Sequence, residues 1–368
     1  MTVVGSSKLI SNREVFHLVL LLHQGSVFWV LPYFIAKDNG TAGMVVLLPG
    51  LLMGLLIIGV CSFWAMRCKE VGFVEALPWM LGKPLGKALG VLLVLFYMAF
   101  TVICLCSFVE MLGGQMLIET PRFVLLCTMF LLVGWMSWNG LEDMARTAVL
   151  CTLVAVLMLL LVTVGNLDVF SLNVMLPLKL KDPTMLQEAA LHSIYGYSGL
   201  LALLMIYPAL NTKKSIKGQL WLALLLSTVM STAWIVISLG VFGQSGLGSA
   251  VWLPLELARM VRLGPFLERT EALFTILWMV IVFINGSLLV WCASEGLHQL
   301  VQRQKNVWLH WGVVLVLLLV SIFVKNILQL FQLEQWLSQI SIWFVPLALL
   351  LIVLGTFLYS RRKEGQQP

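Results

Sequence analysis

Along this chain apolar residues do not recur at helical or strand spacing; they come in nearly unbroken runs of about twenty, separated by short polar stretches. A run of that length is what a helix needs to cross the ~30 Å hydrocarbon layer of a bilayer. Ten such runs are read, at about 14–36, 42–66, 88–110, 123–140, 147–166, 187–210, 218–242, 271–294, 306–324 and 337–359. The longest uncharged stretch, Gly218 to Leu255, is expected to end its helix between Gly243 and Gly248, with Pro254 beyond. The pattern predicts an all-α integral membrane protein of ten transmembrane helices, forming a single transmembrane domain over 1–368.

Composition agrees: 60% of the 368 residues are hydrophobic and 11% are charged, against roughly 25% charged in a soluble domain. Such a chain cannot cover itself with polar surface and needs lipid around it. Lys8, Arg13 and Glu14 lead straight into a full-length run with no short apolar core and cleavage site, so the first span is expected to stay in the protein. Of seven cysteines, Cys61, Cys104, Cys106, Cys127, Cys151 and Cys292 fall within the runs, Cys68 lies in a loop, and no C-x-x-C pair offers metal or redox spacing. They read as small apolar fillers. The net charge of +6 sits in loops beside the spans and reads as topology rather than nucleic-acid binding. A cytoplasmic N-terminus places fifteen of the 23 Lys and Arg inside and eight outside, which predicts that both termini are cytoplasmic. The longest connections, about 67–87 and 243–270, read as amphipathic helices at the membrane interface. The first mixes Arg67, Lys69, Lys83 and Lys87 with Phe73, Leu77, Trp79 and Leu81. No nucleophile elbow, phosphate loop or metalloprotease motif is present, and neither an enzyme nor a cofactor is expected.

Spans 1 and 6, five spans apart, each carry small residues near mid-membrane. Span 1 has His23, Gln24, Gly25 and Ser26 and closes with Pro32; span 6 runs from Ser193 through Tyr195, Gly196, Tyr197, Ser198 and Gly199 and closes with Pro208. Helices broken at matching places in two five-span halves point to an inverted-repeat transporter fold, here with repeats at about 12–166 and 186–359. Small residues at these places also serve close helix packing, and that reading stands beside the first. Where a helix unwinds in lipid, each bare peptide group costs several kcal/mol. A zwitterion supplies both missing partners: its carboxylate suits N–H groups at Gly25 and Ser26, its ammonium the carbonyls from Tyr195 to Ser198. Tyr97 with Thr101 on span 3, and Ser287 with Trp291 on span 8, are i and i+4 pairs placed to close such a pocket. His23 and His192 are the titratable residues beside the breaks, as a proton relay or as neutral packing groups. Glu110 and Glu295 stand at span ends, and no Asp, Glu, Lys or Arg is expected well inside the ten cores. A solute-binding chain without a coupling charge reads as a sensor rather than a pump.

The block from Trp252 through Pro254, Glu256 and Arg259, followed by Gly264, Pro265, Phe266, Leu267, Glu268, Arg269 and on to Phe274 and Trp278, resembles the B subunit of bacterial spore germinant receptors. The opening Ile10, Ser11, Asn12, Arg13, Glu14 and the stretch from Gly25 to Pro32 are similar too, so the resemblance covers essentially the whole chain. It implies a branch of the amino acid, polyamine and organocation transporter superfamily, with a LeuT-like five-plus-five inverted repeat. It also implies a receptor subunit that binds a nutrient germinant, often an amino acid, in the spore inner membrane. An A subunit and a lipoprotein C subunit would be its partners. Carried onto this sequence, the ligand positions are Gly25, Tyr97, Thr101, Gly199 with Leu200, Ser287 and Trp291, beside Ser26, Tyr195 and Gly196 from the residue reading. Where the family's sixth span often carries an acidic residue, this chain has Ser198 or Gly199. The Glu268–Arg269 pair reads either as a coupling element or as a helix-start charge pair. Three functions follow in order: the ligand-binding receptor subunit, a proton-coupled amino acid permease, and a membrane scaffold.

Overall fold

The computed structural model of the protein describes residues 10–27, 43–68, 71–175, 191, 193–210, 216–247, 251–261 and 269–364. The regular structure there is helical: α1 (Asn12–Val27), α2 (Gly43–Arg67), α3 (Phe73–Leu81), α4 (Lys83–Gln115), α5 (Arg122–Asn139), α6 (Leu141–Gly165), α7 (Leu172–Met175), α8 (Ser193–Ala209), α9 (Ile216–Gly246), α10 (Leu253–Met260), α11 (Thr270–Val301), α12 (Val307–Phe323) and α13 (Ile327–Glu364). Among the described residues, seven helices are long and apolar enough to cross a membrane: α2, α4, α5, α6, α9, α11 and α13. α8 and α12 are shorter apolar helices. Local chemistry sets several ends. Ser11 and Glu14 form a capping box at the start of α1, with the Ser11 amide 2.8 Å from Glu14 Oε2 and the Glu14 amide 3.3 Å from Ser11 Oγ. The Asn306 side chain accepts the Trp308 and Leu309 amides at the start of α12. Gly82 (φ 88°) and Gly140 (φ 110°) take backbone conformations costly for other residues where α3 meets α4 and α5 meets α6.

The helices pack in pairs that are five spans apart in the order of the predicted runs: α2 on α9, α4 on α11, α5 on α12, and α1 on the middle of α8. At the centre, one turn of α8 touches α1, α2, α4 and α11 at once. The Ile10 amide donates to the Ala209 carbonyl at 3.2 Å, tying the approach to α1 to the end of α8.

Several expectations change. The first helix does not break at His23–Ser26; α1 stays helical through Gly25 to Val27, and Pro32 lies outside the described residues. One glycine costs a helix only about 1 kcal/mol, and hydrogen bonds to α9, from Gln24, and from α11, by Asn285, hold this segment from both sides. The sixth helix does not unwind in the described residues either. It tightens to a 3-10 turn at Gly199–Ala202, returns to α at Leu203–Ile206 and ends in a second 3-10 turn at Tyr207–Ala209 that contains Pro208. The connection helix α3 turns Phe73 and Leu77 into the protein and leaves Trp79 exposed at 69%. Its first amides are capped from α11, where Gln299 Oε1 accepts from Val74 N at 3.0 Å and Glu75 N at 3.4 Å. α10 likewise buries Leu253, Leu255 and Leu257, so both connection helices dock on the bundle rather than lying only in headgroups. Finally, α13 begins ten residues before the predicted run, which brings Glu334 inside a helix of the bundle.

Candidate functional site

The tightened turn of α8 is where functional side chains converge. Ser198 Oγ donates to the Tyr195 carbonyl at 2.6 Å, competing for an acceptor that a regular α-helix would offer to the Gly199 amide. Gly199 follows with no side chain to defend helical geometry. From α4, the Tyr97 hydroxyl donates to the Leu201 carbonyl at 2.8 Å, fixing the turn laterally. Thr101, one turn on, is buried and returns its hydroxyl to the Tyr97 carbonyl at 2.8 Å. Tyr195 stacks on Phe100 with ring centroids 5.0 Å apart, while Tyr197 turns the other way and lies 4.1 Å from the His23 ring. The Tyr197 hydroxyl shares a hydrogen bond with Thr228 of α9 at 2.9 Å. Gly50 of α2 makes room for it, since a Cβ there would meet the Tyr197 ring and the Ser193 carbonyl.

α1 lies between α9 and α11 and is bound to both. Gln24 Nε2 donates to the Ser227 carbonyl at 2.6 Å and to Ser231 Oγ at 3.2 Å. Asn285 Nδ2 of α11 donates to the Leu21 carbonyl at 2.9 Å and to its own helix at the Ile281 carbonyl at 3.2 Å. Gly25 is glycine because the Asn285 carboxamide occupies the space a Cβ would need. Two polar groups here have no hydrogen-bond partner among the described residues: both ring nitrogens of His23, which is 1% exposed, and Oδ1 of Asn285, which is 2% exposed. Buried polar atoms are nearly always satisfied, so His23, which faces Tyr197 of α8, and Asn285, which faces Gly25 from α11, leave unfilled capacity for a polar solute on two different faces of α1.

The structure thus gathers Gly25, Tyr97, Thr101, Tyr195, Gly196, Gly199 and Leu200 around α8 and α1. It does not bring Ser287 and Trp291 to the same side. A residue turns about 100° on an α-helix, which puts Ser287 roughly 200° round α11 from Asn285; its hydroxyl returns to the Phe283 carbonyl at 2.7 Å. Backbone is described for Ser26 but not its side chain, and His192 and Glu268 lie outside the described residues. Gln24 and Tyr197 fall within the two breaks named from the sequence but are given no side-chain role there, and Asn285 is missed. Their signal was polarity within apolar runs, set aside there in favour of small residues. Glu334 was missed because its run was started at 337; it is 3% exposed, and Ser107 Oγ of α4 donates to its Oε1 at 3.4 Å. Glu110, which stands at a span end, pairs with Arg122 at 2.5 Å.

The Spore_permease sequence family, described as spore germination protein, matches residues 9–359. Spore germination protein YndE of Bacillus subtilis (strain 168) is 23% identical over 331 residues, 88% of each chain. Spore germination protein KB of the same strain is 21% identical over 329 residues, 86% of this chain and 85% of its own. With spore germination protein GerQB of Bacillus cereus the match is 23% over 153 residues, so it spans 42% of that protein's length and 42% of this chain. Among solved structures, MhsT in complex with L-phenylalanine superposes with a TM-score of 0.69 at 16% identity, covering 95% of this chain and 90% of MhsT. A manganese transporter of Eremococcus coleocola, bound to an aromatic bis-isothiourea compound, gives 0.65 at 13%, covering 94% and 78%. At these identities the likeness is one of fold.

Proposed function

Because the chain belongs to the Spore_permease family of spore germination proteins, we propose that it is the ligand-binding B-type subunit of a nutrient germinant receptor, with an amino acid as ligand. The observation that carries this reading is two buried, unfilled polar groups that flank α1, His23 on the side of Tyr197 of α8 and Asn285 Oδ1 on the side of α11. Their chemistry is complementary to a zwitterion: a neutral imidazole N–H donates to a carboxylate, and a carboxamide oxygen accepts from an ammonium. Tyr97, Thr101, Tyr195, Gly196, Gly199 and Leu200 line the α8 side of this site, and Gly25 with Ser26 the α1 side; Ser287 and Trp291 support it from other faces of α11. MhsT, of the same fold, is a structure holding L-phenylalanine, which supports an amino acid as the solute class. The subunit works in the spore inner membrane with both termini cytoplasmic, beside an A subunit and a lipoprotein C subunit.

A panel of amino acids screened by thermal unfolding of the purified protein tests this. A ligand at a hundred times its Kd adds about 2.7 kcal/mol to the folded state, and the shift is expected to vanish in His23→Phe and Asn285→Ala. A panel without any stabilising amino acid, or a shift that survives both substitutions, would overturn the reading.

A proton-coupled amino acid permease is the second reading. Buried His23 and Glu334 favour it, because the expectation of acid-free helices had been the reason to prefer a sensor. Reconstitution in liposomes separates the two: gradient-driven accumulation of the stabilising amino acid selects the permease, and binding without accumulation selects the receptor.

A further inference from the structure

We propose that Glu334, buried where α13 packs on α4 and bonded there to Ser107, is a proton-binding site within the helix bundle. It carries a proton in this conformation and gives it up to water, as a carboxylate, when α4 and α13 move apart.

The geometry leaves the carboxyl little alternative. Glu334 is 3% exposed, its Oε1 receives the Ser107 hydroxyl at 3.4 Å, and its Oε2 has no hydrogen-bond partner among the described residues. An ionised carboxylate so placed needs a cation or several donors. The group bonded to it is Ser107 on α4, and the titratable groups within electrostatic reach on that side are neutral ones, the Tyr195 phenol of α8 and, beyond it, the Cys104 thiol. Arg122 is committed elsewhere, to Glu110, to the Ser321 carbonyl at 3.3 Å and to Cys106 Sγ at 3.7 Å. From α2, Arg67 packs over Phe63 and Phe357, far along α13 from Glu334. α3 meets α13 near Gly355, through Met80 and Leu81, so Glu75 belongs to that distant end as well. Lys83 and Lys87 stand at the start of α4, about five turns or more from Ser107. With no cation facing it among the described residues, the neutral acid is the form that fits.

Its helix is joined to the candidate site through side chains. Tyr195 opens the turn that tightens into Gly199–Ala202. A row of rings, Tyr195–Phe100–Phe96–Phe344, with centroids 5.0, 5.2 and 5.1 Å apart, runs from α8 across α4 to α13. Phe344 lies ten residues beyond Glu334, ~15 Å along the helix. The proposal stands apart from the ligand reading, and its test uses no ligand.

The test is infrared difference spectroscopy of the full chain in liposomes, with pH stepped about neutrality and glutamate labelled with carbon-13. The expected result is a protonated carboxylic acid band in the unlabelled protein at neutral pH that moves with the label, is lost in Glu334→Gln and shifts in Ser107→Ala. A spectrum without the band, or a band that persists in Glu334→Gln, would overturn the proposal. Should Glu334→Gln fail to fold, the Ser107→Ala shift decides: a moved band supports the site and an unmoved one refutes it.

Discussion

Replacing Gly25 by alanine tests the crossing of α1 and α11 directly. The new methyl group would run into the Asn285 carboxamide, whose Nδ2 is anchored by bonds of 2.9 Å to the Leu21 carbonyl and 3.2 Å to the Ile281 carbonyl. Moving the carboxamide aside forfeits both bonds, at about 0.6 kcal/mol for the interhelical one in membranes and about 0.5 kcal/mol, the low end for a hydrogen bond, for the one within α11. Overpacking adds ~1–3 kcal/mol because the Asn285 Cβ is also close. The sum predicts a loss of about 2–4 kcal/mol for Gly25→Ala. In an Asn285→Ala background the obstruction is gone, and alanine even gains up to ~1 kcal/mol of helix propensity over glycine. The four proteins of this cycle, unfolded reversibly in mixed micelles, should therefore show a coupling of about 2–5 kcal/mol between residues 25 and 285. A coupling below about 0.5 kcal/mol, the scatter expected of independent sites, would refute this account of why residue 25 is glycine.

Two further substitutions read the other walls of the site. Tyr97→Phe removes the donor to the Leu201 carbonyl and should cost about 1 kcal/mol, measured by thermal unfolding, while lowering ligand response at unchanged membrane abundance. Gly50→Ala presses a methyl against the Tyr197 ring and the Ser193 backbone carbonyl. The carbonyl has no rotamer to yield, so a loss of ~1–3 kcal/mol is expected in the same measurement.

Fold class was legible because lipid imposes a single-residue rule, apolar or not, over long runs; α2, α4, α9 and α11 fall where the runs of the sequence lie. The ends were less so. Glu334 broke the apolar run at the start of α13, although the helix begins at Ile327; a buried acid and an exposed one read alike in one dimension. The site was half legible for a related reason. Glycine and serine mark where backbone leaves α geometry or helices approach, and they located Gly25 and the turn at Gly199. They say nothing of which partner fills the space: Asn285 comes from 260 positions away, and spacing alone chose Ser287 and Trp291 on α11 instead. That the backbone at Gly25 stays helical reflects neighbours on α9 and α11 that no local pattern reveals.

What holds α1 and α8 in place bears on how such a site could signal. Three side chains each bind a carbonyl of a neighbouring helix: Gln24 to Ser227, Asn285 to Leu21 and Tyr97 to Leu201. At about 0.6 kcal/mol apiece these latches contribute roughly 2 kcal/mol together. A ligand of micromolar affinity carries about 8 kcal/mol of binding free energy, and only the part that differs between two conformations can move the helices. To turn a 1:99 population into 99:1 that part must reach about 5.5 kcal/mol. Each buried polar group left unfilled costs about 1–3 kcal/mol, so a ligand that satisfies both His23 and Asn285 Oδ1 in only one arrangement of the helices around α1 gains about 2–6 kcal/mol of difference. The latches are weak enough to yield to it. Receptor and permease therefore share this step and diverge after it, in whether the second arrangement opens the site to the other face of the membrane.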